Sequence, residues 1–147
     1  MAQMTRTTAW VLTGGLILAL TGCTAVPSAE QQHRAPVETQ LQSLSKGLQA
    51  GTWSKVEHFF SPNYQEGYGE LRDRLEASFR TQQLIDLQFT VNRVLQADGL
   101  VNAQVRWNKS WVSKTGVPGK STGLSEFTLQ PQGSSYRIIR ISGDKLF

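Results

Sequence analysis

Few residues in this 147-residue sequence have types and spacing suited to chemistry. One cysteine, Cys23, and two histidines, His33 and His58, are the candidate nucleophile, bases or metal ligands. A lone cysteine cannot form an internal disulfide, and three scattered residues cannot supply the four ligands of a structural zinc. Cys23 also lacks the neighbouring base and positive charge that a catalytic thiol needs. We therefore predict no cofactor and no metal site.

General acid–base catalysis would instead need a titratable side chain on an inward-facing position. Asp86 and Glu126 fall on the polar positions of alternating strand patterns, and the other acids fall in turns or on polar helix faces. With the acids excluded, the remaining candidate for a general base at a cavity mouth is His58, with Tyr64 or Tyr68 as its partner. Because no partner acid accompanies it, we prefer to interpret His58 as a histidine on a helix surface or core edge.

The position of Cys23 suggests another role. Arg6 is followed by an apolar stretch, Ala9 to Leu20, whose 12 residues suit the central region of a signal peptide. A membrane-spanning helix needs about 20 apolar residues. Small residues separate this stretch from Cys23, as cleavage requires.

The residues Leu20-Thr21-Gly22-Cys23 resemble the bacterial lipobox, which is Leu, two small or uncharged residues, then Cys. The resemblance implies that residues 1–22 are a lipoprotein signal peptide and that Cys23 receives diacylglycerol and further acyl chains such as palmitate. Each buried CH₂ contributes about 0.8 kcal/mol, so two or three chains anchor a protein stably. An ordinary secretory signal with a chance cysteine and an uncleaved helical anchor are the alternatives.

A lipid anchor implies a place in the cell envelope. In a host with two membranes, Thr24 differs from the Asp that usually retains lipoproteins, so we expect the outer membrane, facing the periplasm. Residues 24–35 are small, polar and aperiodic, so residues 23–35 are predicted to be the lipidated Cys and a flexible tether. His33 falls in this tether and is assigned no role.

The charge of the mature chain excludes one class of partner. From Cys23 onward, 14 basic and 11 acidic side chains give a formal net charge of +3. The basic residues are spread singly, whereas nucleic-acid binding requires a clustered basic stripe. We predict no nucleic-acid partner.

Three helices are predicted in the first half of the folded part. Pro36 suits a first helical turn, and the helix that follows it ends at Gly51. A second, short helix has a capping-box spacing between Ser54 and Glu57, and a third runs over about residues 67–82. The apolar positions of the three are Val37, Leu41, Leu44 and Leu48, then Trp53, Val56, Phe59 and Phe60, then Tyr68, Leu71, Leu75 and Phe79.

The period then changes from helical spacing to strict alternation. Strands are predicted over residues 85–91, 101–111, 124–130 and 136–141, joined by turns and by a loose connection at 114–123. Short links between successive strands favour an antiparallel meander. The fold class is therefore α+β, with three N-terminal helices packed on a curved four-stranded antiparallel sheet.

This order of elements, with "FFSPNY" at residues 59–64 and "YRIIRISGD" at residues 136–144, resembles the nuclear transport factor 2-like superfamily. The resemblance spans residues 36–147 and implies a cone-like fold around an apolar cavity. In some members that cavity hosts an enzyme, and in others it is only a ligand or partner site. The catalytic acids of the family cannot be carried over, because no carboxylate occupies an inward position.

Eight aromatic residues are candidates for lining such a ligand pocket, although aromatic residues at core spacing are more often plain core. They are Trp53, Phe60, Tyr64, Tyr68, Phe79, Phe89, Trp107 and Trp111. Lys109 falls on the same strand face as Trp107 and Trp111, where a buried amine would be costly. Either the side chain reaches solvent beyond the sheet, which we prefer, or it contacts an anionic ligand or partner.

The preferred function is a lipid-anchored envelope domain without enzymatic activity, which binds a small ligand or a protein partner or serves as an assembly subunit. The membrane is contacted through the N-terminal lipid, and a protein partner or a second copy through the outer sheet face. The alternative is an enzyme that resembles SnoaL-like polyketide cyclases or ketosteroid isomerase and acts on a hydrophobic small molecule with His58 and tyrosines.

Overall fold

Two helices and a four-stranded antiparallel sheet make up the fold. The computed structural model describes residues 28–147, so the predicted signal peptide and the lipidation site Cys23 lie outside the described residues. The elements are α1 (Ala29–Gln49), α2 (Tyr68–Thr81), β1 (Gln82–Ala97), β2 (Leu100–Ser113), β3 (Pro118–Gln132) and β4 (Ser135–Gly143). Successive strands are neighbours and every pair is antiparallel, which confirms the α+β class and the meander.

Helix α1 begins seven residues before the predicted start at Pro36, so residues 29–35 are helical and not part of a tether. A capping box explains the early start: the Gln31 N–H donates to Ser28 Oγ (3.3 Å), and the Ser28 N–H donates to Gln31 Oε1 (3.0 Å). Pro36 lies inside the helix on an exposed position, where the carbonyl that loses its donor can bond to water.

The prediction of a second helix after residue 52 is wrong. The segment forms two separate 3₁₀ turns, Trp53–Lys55 and Glu57–Phe59, and no side chain caps either of them. Val56, between the turns, leaves helical geometry at φ −122°. The segment is too short to form a helix by itself, so burial of Val56 and Phe60 against the sheet decides its path.

The start of β3 also differs from the prediction, because Pro118 to Gly123 are paired with β2 and not part of a loose loop. Two glycines in this stretch lie opposite two tryptophans, with Gly119 paired to Trp111 and Gly123 paired to Trp107. A Cβ on either glycine would come within 2.3 Å of the opposite indole ring. The indoles therefore lie across the neighbouring strand in space that only glycine leaves free.

The sheet is bent by extra residues in its two outer strands. The register shifts leave Ile85 and Asn92 unpaired in β1 and Ile139 unpaired in β4. Such bulges increase local twist and bend a strand. The concave side holds the core, and Trp107, Phe127 and Ile138 are among its fully buried side chains.

Helix α1 covers the free edge of β1. The Ser45 hydroxyl donates to the Leu87 carbonyl at 2.5 Å, and Arg34 donates to the carbonyls of Val91 (2.7 Å) and Asn92 (3.0 Å). The buried apolar side chains from Val37 to Leu146 form one cluster, so this part of the chain carries its own core. Neither of the two helices has an apolar stretch long enough to cross a bilayer.

His33, which was assigned no role, bridges two strands from its place on α1. Its Nδ1 is 2.7 Å from the Tyr136 hydroxyl, and its Nε2 is 3.2 Å from the Gln96 side-chain oxygen. Tyr136 lies in β4 and Gln96 in β1, so this histidine helps to hold α1 against both. The assignment failed because it depended on the tether interpretation.

Candidate functional site

A small apolar cavity lies between the helices and one end of the sheet. Its volume is about 30 Å³, comparable to the volume that one water molecule takes up in the liquid. Its walls come from α1, α2, β1, β2 and the segment after β4, through Leu48, Leu75, Ser78, Phe79, Gln82, Leu84, Leu87, Lys109, Leu146 and Phe147. The cavity is therefore a mostly hydrocarbon space with a single ionisable side chain in its wall.

That ionisable group is the Lys109 ammonium. It donates a hydrogen bond to the Leu146 main-chain carbonyl at 2.5 Å. It also lies 5.4 Å from the ring centroids of both Trp107 and Trp111, close enough for cation–π attraction. Burial lowers the pKa of this amine from its ordinary value, since the charged form is poorly solvated there. Lys109 thus turns towards the chain and does not extend freely into solvent.

The tryptophan beneath Lys109 is held by a short polar chain. The Trp107 indole N–H donates to Ser125 Oγ (2.9 Å), and Ser125 Oγ donates to the Asp144 carbonyl (2.7 Å). Trp107 and Ser125 are both almost completely buried. A buried indole N–H needs such a partner, so these two hydrogen bonds fix the Trp107 ring beside Lys109.

Residues 144–147 close the cavity, and their first residue, Asp144, attaches this segment to β3. Its N–H donates to the Leu124 carbonyl (3.0 Å), and its carboxylate accepts from the Leu124 N–H (2.8 Å). Gly143 precedes it at φ +98°, where a Cβ would lie 2.7 Å from the Leu124 carbonyl. This turn, which only glycine accommodates, directs Leu146 into the core at 3% exposure.

On its other side, the segment borders an open groove of about 430 Å³. Tyr64, Glu66, Leu71 and Arg74 form the far wall, and Leu146 and Phe147 belong to this groove as well as to the cavity. Glu66 and Arg74 are paired at 3.2 Å. Burial, together with the nearby Glu66 carboxylate, raises the pKa of the Tyr64 hydroxyl, so Tyr64 stays neutral. Residues 144–147 therefore separate a small apolar cavity from a larger polar groove.

The eight aromatic residues predicted to line a pocket are dispersed. Phe79 lines the cavity and Tyr64 the groove. Trp53, in the first 3₁₀ turn, packs against Phe60 and Tyr68 at centroid distances of 6.2 and 5.3 Å, and these three rings form a separate cluster. The other three belong to the sheet, where Phe89 packs against Phe127 at 5.8 Å, and Trp107 and Trp111 flank Lys109.

His58 is exposed, and its ring packs on the ring of Phe59 with centroids 4.0 Å apart. Tyr64 packs against Phe60, and Tyr68 against Trp53. Within residues 28–147, no hydrogen bond joins His58 to either tyrosine and no carboxylate is buried. The same residues contain no group of His, Cys, Asp and Glu arranged to hold a metal ion.

Sequence reasoning missed Leu146 and Phe147 as part of the site. The signal was an apolar pair placed directly after the polar Asp144 and Lys145, beyond the last alternating strand. Ser125 was also missed, because a serine on an inward strand position has no distinctive pattern unless its tryptophan partner on β2 is known.

Solved structures share this architecture. A ketosteroid isomerase-like protein from Erwinia carotovora atroseptica has a TM-score of 0.62 at 16% identity, over 75% of this chain and 93% of that one. A nuclear transport factor 2-like superfamily protein from Salmonella enterica serovar Typhimurium has a TM-score of 0.61 at 12% identity, over 79% and 94%. A conserved protein from Planctomyces limnophilus has a TM-score of 0.65 at 6% identity, over 77% and 98%.

No protein-family model matches the sequence, and the search of curated proteins gave no match. At these low identities the similarity is one of fold. The chain has the nuclear transport factor 2-like fold that its order of elements predicted, with two helices in place of three.

Proposed function

We propose that this protein is a lipid-anchored binding module of the cell envelope that performs no catalysis. Its anchor is an acylated Cys23, preceded by a signal peptide at residues 1–22, and residues 28–147 form the binding domain. In a host with two membranes the domain faces the periplasm from the outer membrane. The lipobox resemblance at Leu20 to Cys23 supports the anchor.

One observation supports binding over catalysis. The apolar cavity has a volume of about 30 Å³, and the ionisable side chain in its wall, Lys109, already donates to a main-chain carbonyl. General acid–base chemistry needs a titratable group in reach of a bound substrate. Among residues 28–147, His58 and every side-chain carboxylate lie outside this cavity, which favours a module that captures a ligand or partner.

The anchor is tested by mass spectrometry of the N-terminal peptide from protein made in its host. We expect Cys23 at the N-terminus with diacylglycerol attached, and we expect a Cys23→Ser chain to lose that mass. As a control, Thr24→Ser leaves the cysteine in place and should be acylated normally. An unmodified Cys23, or an intact segment 1–22, would contradict the anchor.

Binding is tested by native mass spectrometry of residues 24–147 purified from the envelope space of the host. The buried core of the described residues runs from Val37 to Leu146, so this part contains the site. A retained small molecule or a co-purifying protein is the expected result. Turnover of a hydrophobic substrate that is lost in His58→Ala would instead support the enzymatic alternative, and would contradict our proposal.

A further inference from the structure

We propose that residues 145–147 are a displaceable plug that pivots on Asp144, and that an apolar carboxylate takes their place with its chain in the cavity and its carboxylate on Lys109. This inference rests on the proposed binding function and names its ligand class. Leu146 already imitates such a ligand, because its side chain fills an apolar space while its carbonyl oxygen accepts from the Lys109 ammonium at 2.5 Å.

The plug is held unevenly. At its base, Asp144 makes three hydrogen bonds, two with the Leu124 main chain and one with Ser125. Beyond Asp144, the structure shows one hydrogen bond to this segment, from the Lys109 ammonium to the Leu146 carbonyl. Lys145 is exposed. The base can therefore stay in place while residues 145–147 swing away, with a single hydrogen bond broken.

Displacement would also create room. Leu146 and Phe147 line both the cavity of about 30 Å³ and the groove of about 430 Å³, so they are the partition between the two. Moving them joins the spaces into one channel, which is apolar at Leu75, Phe79 and Leu87. The cost of withdrawing Leu146 from the core is offset when a ligand buries an apolar chain in the same place.

The charge at this site selects the head group. Lys109 has two indole faces and a neutral carbonyl as its partners, and no side-chain carboxylate of residues 28–147 lines the cavity. The Leu146 carbonyl offers the ammonium only a dipole, whereas a carboxylate adds the attraction of a full opposite charge, which is strong where water is partly excluded. A carboxylate would therefore compete well against the Leu146 carbonyl, whereas an alcohol would not.

The test uses residues 24–147 and three probes of equal chain length: octanoate, octan-1-ol and octylammonium. Fluorescence of Trp107 and Trp111, each 5.4 Å from the Lys109 amine, reports occupancy. Methyl NMR shifts of Leu146 report whether the plug moves. We expect octanoate to bind at least about tenfold more tightly than octan-1-ol, octylammonium to bind least, and Leu146 to shift on binding.

Two variants test the mechanism. Lys109→Met should remove the preference of octanoate over octan-1-ol, and Leu146→Ala should tighten octanoate binding because the closed form becomes less populated. The matched control is Lys55→Met, which removes an exposed charge from a position that lines neither the cavity nor the groove and should leave both affinities unchanged. Near-UV circular dichroism checks that each variant is folded.

The inference is overturned if octanoate and octan-1-ol bind the unchanged protein equally, or if Lys109→Met keeps the preference. Neither result depends on the host ligand, so either can occur while native mass spectrometry still finds a bound partner. In that case the binding module stands and its carboxylate ligand does not. The two tests can also disagree in the other direction. A tenfold octanoate preference of residues 24–147 would support the plug, while an unmodified Cys23 in protein from the host would contradict the anchor.

Discussion

At the scale of single residues, the absence of a side chain matters as much as its presence. Gly119 and Gly123 leave room on β3 for the indoles of Trp111 and Trp107. Because both rings lie flat across the neighbouring strand, the Lys109 ammonium is held between them, 5.4 Å from each centroid. Two glycines thus position the charged group of the site without touching it.

Gly123→Ala tests this arrangement. The added Cβ would lie 2.3 Å from the Trp107 ring and 2.8 Å from the Asp144 Cβ, so the ring or the strand must move. We expect a loss of about 1–3 kcal/mol in the free energy of unfolding, measured by urea denaturation. Gly69→Ala is the control, because a Cβ there meets nothing within 4 Å and the residue is helical.

For the control we expect no loss, or a gain of up to about 1 kcal/mol from helix propensity. Equal stabilities for Gly123→Ala and the unchanged protein would show that the indole of Trp107 can lie elsewhere. That result would also remove the argument that the glycines place Lys109.

At the scale of elements, α1 acts as the missing neighbour of an edge strand. Edge strands expose main-chain groups that can pair with another chain. Side chains of α1 satisfy three carbonyls of β1, those of Leu87, Val91 and Asn92. The early start of the helix matters for covering this edge, since Arg34 lies in the helical turns before Pro36 and reaches β1 from there.

Ser45→Ala measures the covering of this edge. Its hydroxyl is buried and donates to the buried Leu87 carbonyl, which would be left without a partner. An unsatisfied buried carbonyl costs about 1–3 kcal/mol, which exceeds the gain of roughly 0.5 kcal/mol from the better helix propensity of alanine. We therefore expect a lower urea midpoint and faster amide exchange in β1.

Ser43→Ala is the matched change on the same helix. Ser43 is exposed and bonds within α1 to the Thr39 carbonyl (3.1 Å), so we expect a midpoint that is unchanged or slightly higher. If the two serine variants behaved alike, helix propensity alone would account for Ser45 and the proposed edge contact would carry no energy.

At the scale of the whole molecule, α1 joins the first and last strands of the sheet. Besides its contacts with β1, its Gln40 side chain donates to the Tyr136 carbonyl (2.8 Å) and accepts from the Tyr136 N–H (2.9 Å). These bonds link residues 96 positions apart. The Gln40 side-chain amide pairs with the main chain of β4 as the main chain of a neighbouring strand would. The helix therefore closes the cone from both sides.

Gln40→Ala should open this closure. Losing both hydrogen bonds to Tyr136 is expected to lower the free energy of unfolding by about 1–3 kcal/mol. Hydrogen exchange should speed up at the Tyr136 amide more than at β2. Gln42→Ala, at an exposed position of the same helix, should change neither measurement, and similar results for the two variants would contradict the role of Gln40.

The class of the fold followed from local patterns. Alternation over the four strands and the spacing from Val37 to Leu48 report which face of each element is buried, and that information is local. The start of α1 was missed although Ser28 and Gln31 carried a capping-box signal, because Pro36 was taken as a first turn. The second helix was overestimated because apolar spacing cannot distinguish two 3₁₀ turns from one short helix.

By itself, the sequence determined the α+β order and the antiparallel meander, because periodicity and residue type are properties of neighbours in the chain. Only the tertiary structure decided the site. It brought Leu146 onto Lys109, 37 positions away, and placed two glycines under two tryptophans. Such contacts depend on strand register and on a glycine turn at Gly143, which set distances that no local pattern records.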